Sequence, residues 1–420
     1  MKGRAIAKGL LVAASLLLSL LLAEVALRFA VPLDTGSSHD FRVPHPVLGW
    51  TPEPGASYRN RMREATVRVT YNAEGWRDVE HAAAKPEGVY RTVVLGDSFM
   101  EAYSVELDDA FHRQAGGLLR EAGFEAETIN LGVGGYGTLQ QLLAFREAGR
   151  RYQPDLVLLG FYPDNDVRNN SAELESLVGG RRLKVESRPV LDPDDAGGFT
   201  ITKTDSEGAR RRYDQSRARR AGRLRRVAER SVLLRMIVER IEELARGDEH
   251  IDPAEPQSLQ AMTGDERRDL AVHGVHYCDE PEPWTRAWDL TRRILRQLKT
   301  EVEAGGARLV VFTVPSLANA DERFMERVRA DSPAPERLCL EQAPGFARLA
   351  GICHELGIEL VDLLPAFREQ MREHGATLFR RSDRHWNEAG HALAARLVVD
   401  HVLAARKEQP APPNGAAPTE

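Results

Sequence analysis

The sequence predicts an α/β fold organised around a doubly wound parallel sheet of five strands, and three observations carry that prediction. Five short apolar runs recur along the chain, in YRTVVLGDS, AETINLG, PDLVLLGFY, ARLVVFTV and IELVDLL. Helical patterns such as LQQLLAFREAGRRY and TRAWDLTRRILRQLKTEVEAGG separate them, which is the alternation of a parallel sheet. The third run is apolar at every position rather than every second one, as a strand must be when both faces of its sheet are covered.

Each stretch of the chain fits around that sheet. Residues 1–8 carry Lys2, Arg4 and Lys8, and an apolar run, LLVAASLLLSLLLA, follows and stops at Glu24. Alone it has the length of a signal-peptide core. Continued through Val25, Leu27, Phe29 and Val31, with Arg28 reaching back to the headgroups, residues 9–31 attain the roughly 20 residues of a span. An uncleaved signal anchor is expected ahead of a cleaved peptide, with the basic end cytoplasmic and the remainder across the membrane. Residues 32–89 alternate turn residues with short β-like runs and form a β-rich preface to the main domain at 90–405. Between 170 and 283 the alternation lapses; this insertion holds an Arg-dense run and an amphipathic pattern, VAERSVLLRMIVERIEELARG, and is expected to form a helical cap. The Arg-rich run reads chiefly as a solvated helix face, with anionic lipid or acidic polysaccharide as the alternative partner. Residues 406–420, rich in Pro and Ala, are expected to be a disordered tail.

The net charge of -6 over 420 residues argues against a nucleic-acid partner. Cys278, Cys339 and Cys353 are an odd set, read as one bridge plus a buried thiol. His273, His276 and Cys278 lie close together but lack a metal-ligand spacing, so no metal and no cofactor is expected.

Four segments carry chemistry. Ser98 follows the first strand in Gly-Asp-Ser and opens the next helix, which exposes its hydroxyl and sets its N–H among the free donors of a helix start. The NLGVGGYGT turn after the second strand lets backbone N–H groups converge on a ligand, and Asn165 offers a side-chain amide after the third. Near the end, RRSDRHWNEAGH places Asp383 two residues before His385, so that in an extended loop both side chains point the same way. Asn387 is placed to cap the final helix, which carries His391. Asp166 is expected to close the Asn165 turn, and Trp386 to wall the site or anchor its loop. Walker-type phosphate binding is disfavoured: the motif is missing, and Asp97 would repel phosphate at the first turn.

These blocks, GDSF, NLGVGGYGT, YPDND and DRHWN, resemble in order those of the SGNH/GDSL hydrolase family over roughly residues 90 to 400. The resemblance implies a flavodoxin-like sheet of order 2-1-3-4-5. It also implies an oxyanion hole made by the Ser98 N–H, the Gly135 N–H and the Asn165 amide, with Gly134 as the alternative backbone donor. The last block departs from the common spacing, since Ser382 stands three residues before His385. Its D-x-H-W form is similar to the branch of alginate and polysaccharide O-acetyltransferases.

The expected activity is therefore nucleophilic acyl transfer by Ser98, with His385 as base and Asp383 orienting it, on acyl esters of carbohydrate or lipid. Hydrolysis and transfer to a sugar hydroxyl use the same groups and are not separated by the sequence. A binding or assembly protein that keeps the fold without the activity is the reading from a different class.

Overall fold

The computed structural model describes residues 2–30, 41–178, 188–202, 262–375 and 377–407, together with 208, 211, 231 and 233. At the start of the chain α1 (Lys2–Ala30) is a single helix of 29 residues with exposed leucines, Leu11, Leu16 and Leu21 among them. Glu24 interrupts its apolar surface and accepts hydrogen bonds from Ser231 Oγ (2.8 Å) and the Leu233 N–H (3.1 Å). Among the described residues no helix is long and apolar enough to cross a membrane, so the membrane-spanning helix expected from the sequence is not supported by the fold.

The preface consists of two antiparallel hairpins. They are β1 (Arg42–His45) with β2 (Gly49–Pro52), and β3 (Ser57–Arg61) with β4 (Thr66–Thr70). It is joined to the main domain by buried contacts. Leu48, Trp50 and Trp76 enter the main core, the Tyr136 hydroxyl donates to the Trp50 carbonyl at 2.6 Å, and the Gln140 amide donates to that of Leu48 at 2.7 Å.

The main domain opens with β5 (Tyr90–Leu95), a short α2 (Ser98–Glu101), α3 (Phe111–Glu121) and β6 (Ala126–Asn130). It continues through α4 (Thr138–Glu147), β7 (Leu156–Phe161), a one-turn α5 (Pro163–Asp166) and α6 (Ala172–Leu177). After a hairpin of β8 (Val190–Pro193) and β9 (Phe199–Thr202) come α7 (Gly264–His273), α8 (Glu282–Ala304) and β10 (Arg308–Thr313). The last units are α9 (Pro344–Leu356), β11 (Glu359–Val361) and α10 (Glu388–Lys407). Five strands form one sheet in the order β6-β5-β7-β10-β11, every pair parallel. In sequence order of its members this is 2-1-3-4-5, as the resemblance implies.

The uninterrupted apolar runs are explained by the two cores. Val93, Leu95, Val157, Leu159, Leu309 and Val311 face α4, α8 and α9 on one side. Val94, Leu156, Leu158, Val310 and Phe312 face α3 and α10 on the other. Successive side chains of a strand point to opposite faces, so a sheet sandwiched between helices needs an apolar residue at every position.

The insertion, expected to form a helical cap, lies largely outside the described residues. Its described parts are α6, the β8–β9 hairpin and α7, and Leu174, Leu177, Leu191, Leu270 and Ala271 belong to the same core as α4 and α8. Most of the Arg-dense run and of the amphipathic pattern, like the tail, lies outside the described residues. Cys278, after α7, is bonded to Cys339, and Cys353 is a buried thiol that burial pushes up to about 12. The bridge closes a loop over a sequence separation of 61 residues. Losing it through Cys278→Ser is expected to lower unfolding stability by about 2–4 kcal/mol, read as a drop in the urea midpoint. A midpoint equal to that of the parent would show that the bridge does not contribute.

Candidate active site

Ser98 begins α2 directly beyond the carboxyl end of β5. Asp97 caps this turn, its Oδ1 accepting the Phe99 N–H at 2.9 Å. The loop that ends at α10 crosses the same sheet edge, and it places His385 Nε2 2.8 Å from Ser98 Oγ. These two groups stand 287 residues apart in sequence and within hydrogen-bond distance in space.

The contacts of the ring assign its proton. His385 Nδ1 lies 3.1 Å from the carbonyl oxygen of Asp383, which can only accept, so Nδ1 carries the hydrogen. Nε2 then presents its lone pair to the serine hydroxyl, which donates to it. The carboxylate of Asp383 is at 3.6 Å from Nδ1, longer than a hydrogen bond, and its Oδ1 instead accepts the His385 N–H at 3.1 Å. Asp383 Oδ2 is buried with no hydrogen-bond partner, so a small rotation toward Nδ1 would break no existing bond of that atom. Burial is the largest influence on His385 and pulls its pKa down. The nearby carboxylate of Asp383, followed by the charge of Asp97, outweighs burial and raises it above the ordinary 6.5.

The two acidic and basic side chains do not meet through extended alternation. Arg384, between them, has φ +66°, in the left-handed region, and the Arg380 N–H donates to the His385 carbonyl at 2.7 Å. A tight turn therefore brings Asp383 back onto the ring. Ser382 lies away from the site and hydrogen-bonds Glu64. Trp386 is fully buried against Phe99 and Phe367 and donates from Nε1 to the Pro315 carbonyl at 3.0 Å, so it anchors the loop rather than lining the site. Asn387 caps α10 by accepting the Gly390 N–H at 3.0 Å. His391 is buried within α10, and burial holds its pKa well down.

The other two blocks reach the same edge. Asn165 donates from Nδ2 to Asp97 Oδ2 at 2.8 Å, which fixes its amide beside the Ser98 turn and leaves its second N–H free to point elsewhere. Asp166 closes the turn by accepting the Tyr162 N–H at 3.0 Å; burial, then the charge of Asp97, pushes its carboxyl well up. Gly134 approaches the nucleophile so closely that an added Cβ would stand 3.4 Å from Ser98 Cβ and 2.8 Å from Glu101 Oε2. Its N–H donates to that Glu101 oxygen at 2.5 Å and so is already engaged; the next residue, Gly135, stands at φ +80°.

Sequence reasoning missed Glu101, Tyr71, Arg42 and Tyr103. The Tyr103 hydroxyl stands 3.3 Å from each ring nitrogen of His385, and so cannot align with both. Glu101 was detectable in principle, as an acid on the serine's own helical turn. The preface residues had no spacing that linked them to the site. Of the weak metal group, Cys278 is taken by its disulfide and His276 faces Asp164 at 3.4 Å.

Residues 282–418 match the SGNH hydrolase-like domain of the acetyltransferase AlgX. That match takes in the last two strands of the sheet and the His385 block, while Ser98, Gly134, Gly135 and Asn165 precede it. Over residues 282–418 the chain is similar to an SGNH hydrolase-like domain. Similar solved structures include the acetyl xylan esterase AlAXEase, at 11% identity over 74% of this chain and 99% of that one, with a TM-score of 0.37. A lipase/acylhydrolase from Enterococcus faecalis matches at 11% identity over 75% and 96%, with a TM-score of 0.36. The psychrotrophic esterase EstA from Pseudoalteromonas sp. matches at 10% identity over 76% and 99%, with a TM-score of 0.34. No curated protein sequence matches the chain.

Proposed function

We propose that this chain is a serine-dependent enzyme of acyl esters, with Ser98 as nucleophile, His385 as general base and Asp383 as the group that orients and charges the ring. The observation that carries the reading is the 2.8 Å contact of His385 Nε2 with Ser98 Oγ, in the tautomer a base requires. Nε2 takes the hydroxyl proton as Oγ attacks the ester carbonyl, and the oxyanion is held by the N–H groups of Ser98 and Gly135 and by the Asn165 amide. Collapse breaks the ester C–O bond; the proton on Nε2 passes to the departing alcohol, leaving acyl-Ser98. Water or a second hydroxyl, deprotonated at Nε2, then takes the acyl group.

Acetyl esters of carbohydrate or lipid are the substrates proposed. Transfer of acetyl to a sugar hydroxyl of a polysaccharide is the second reading, favoured by the match of residues 282–418 to an acetyltransferase domain. The test uses the full-length chain with a fluorophosphonate probe and a small acetyl ester, with and without an oligosaccharide acceptor. Ser98-dependent labelling and turnover are expected, and acetylated oligosaccharide in the mass spectrum would favour transfer. If Ser98 is not labelled and Ser98→Ala turns over the ester as well as the parent, the enzyme reading fails and an assembly or binding role replaces it.

Placement of the site outside the cytoplasm, tethered at a membrane, is proposed on Lys2, Arg4 and Lys8 followed by the leucine-rich run. The full chain should sediment with membranes and a chain of residues 32–420 should not. Equal partition of the two would remove the tether.

The carboxylate gives a pH prediction. Because Asp383 raises the pKa of His385, and only the neutral ring is a base, kcat/KM should fall with decreasing pH through a midpoint above 6.5. Asp383→Asn removes the raising charge and should move that midpoint down. Its cost in kcat is expected to be about 10- to 1000-fold, less than the roughly 10⁴-fold seen where the carboxylate is bonded directly to the ring, because the Asp383 carbonyl already holds Nδ1–H. An unmoved midpoint would show that another group controls the acid limb.

A further inference from the structure

A carboxylate that the mechanism does not use lies directly behind the nucleophile. Glu101 is the last residue of α2, three positions after Ser98, and is 1% exposed. Its Oε1 accepts the Tyr71 hydroxyl at 2.5 Å, its Oε2 accepts the Gly134 N–H at 2.5 Å, and Arg42 Nη2 stands 3.8 Å from Oε2. The fully buried Arg77 donates to the Glu101 carbonyl at 3.1 Å and to the carbonyl of Val105 at 2.5 Å, which pins the end of the helical turn. Tyr71, Arg42 and Arg77 all come from the N-terminal β-rich segment, outside the sheet that carries the site.

Burying a carboxylate is costly unless charged or hydrogen-bonding partners surround it, and here two hydrogen bonds and one guanidinium do so. One of those bonds is to the glycine turn beside Ser98. A carboxylate is a stronger acceptor than a carbonyl, so the Gly134 amide is held more firmly than an ordinary loop amide. An added Cβ at Gly134 would meet Arg42 Nη2 at 2.6 Å and Glu101 Oε2 at 2.8 Å, so a side chain there would have to displace the tips of both. Holding Gly134 restricts, though glycine itself does not, the orientations open to the following amide.

We infer that Glu101 is a positioning residue: held by Tyr71, it clamps Gly134 so that the Gly135 N–H faces the oxygen that Ser98 generates, which makes the N-terminal β segment part of the active site. The inference rests on the serine-enzyme reading. It gives Glu101 no contact with substrate, so its loss should act on turnover rather than on binding.

The test is steady-state kinetics of full-length Glu101→Leu, Glu101→Gln and Tyr71→Phe on a small acetyl ester, beside the parent and Ser98→Ala. Leucine leaves Gly134 without an acceptor, and kcat should fall on the order of 100-fold with KM within about 3-fold. Glutamine can accept from Gly134 through its oxygen and donate its NH₂ to Tyr71, so it should restore kcat to within about 5-fold of the parent. Tyr71→Phe removes one tether and should lower kcat about 5- to 10-fold at constant KM. The inference is overturned if folded Glu101→Leu keeps the parent's kcat, or if its loss lies in KM alone. Should Glu101→Leu not fold, an undiminished kcat in Tyr71→Phe overturns it. These results differ from failure of the serine reading, which would appear as a parent no more active than Ser98→Ala and would take the inference with it.

Discussion

Replacing Ser98 by alanine is expected to lower kcat/KM on acetyl esters by about 10⁴-fold or more while leaving the fold intact. The hydroxyl is the atom that both attacks and leaves, and no neighbouring group can substitute: Tyr103, whose hydroxyl lies closest to the ring after Ser98, is half-buried, and desolvation followed by the charge of Asp383 keeps it protonated. Ser98 is partly exposed and its side chain's one recorded bond is to His385, so the substitution leaves no buried donor unpaired. The melting temperature should therefore stay within a few degrees of the parent. A variant that unfolds or that retains activity would each contradict this, for different reasons: the first would make Ser98 structural, the second would move the chemistry elsewhere.

Asn165→Ala should have the next largest effect, a fall in kcat of about 10²- to 10³-fold with little change in KM, because the oxyanion exists only during the reaction. The residue is held for that task by Asp97, whose Oδ2 takes one of its two amide hydrogens. Asn165→Asp keeps the shape yet should be no better than alanine. It would set a third carboxyl beside Asp97 and Asp166, which are buried and whose pKa values burial already pushes up. Equal turnover by the aspartate and asparagine forms would show that the amide does not face the reacting oxygen.

Much of the architecture was legible because burial on both faces of a sheet leaves a mark in every strand residue. The run from Leu156 to Phe161 is apolar throughout since alternate residues feed two different cores, and the helices between the strands follow from the geometry of parallel crossovers. Ser98, Asn165 and His385 stood out because each follows a strand or opens the last helix, where an SGNH-type site draws its groups. The choice between Gly134 and Gly135 was not legible. Both are glycines in one turn, and only the carboxylate of Glu101 against the Gly134 N–H separates them. The relation of Asp383 to His385 was anticipated as an alternation of extended residues, whereas a left-handed Arg384 produces it by a turn. Spacing cannot reveal that, since a non-glycine residue at positive φ is imposed by surrounding bonds rather than by its own preference.

The insertion teaches a similar point. In its described part Leu174, Leu191 and Leu270 are interspersed among polar residues and join the main core without a visible period. The preface likewise looked like decoration on a domain. In space its Tyr71 and Arg42 reach the carboxylate that holds the glycine turn.

What the amino-acid order determined by itself was the layered sheet, the succession of its strands and the residue types gathered along one rim, because these depend on local periodicity and on short segments that carry their own turn chemistry. What only the tertiary structure decided was which atoms face one another: the proton on Nδ1 of His385, the amide already engaged at Gly134, and a buried glutamate supported from the opposite end of the domain. Such pairings depend on the close packing of segments far apart in the chain, where a shift of one ångström makes or breaks a hydrogen bond, and no pattern within a single segment records that distance.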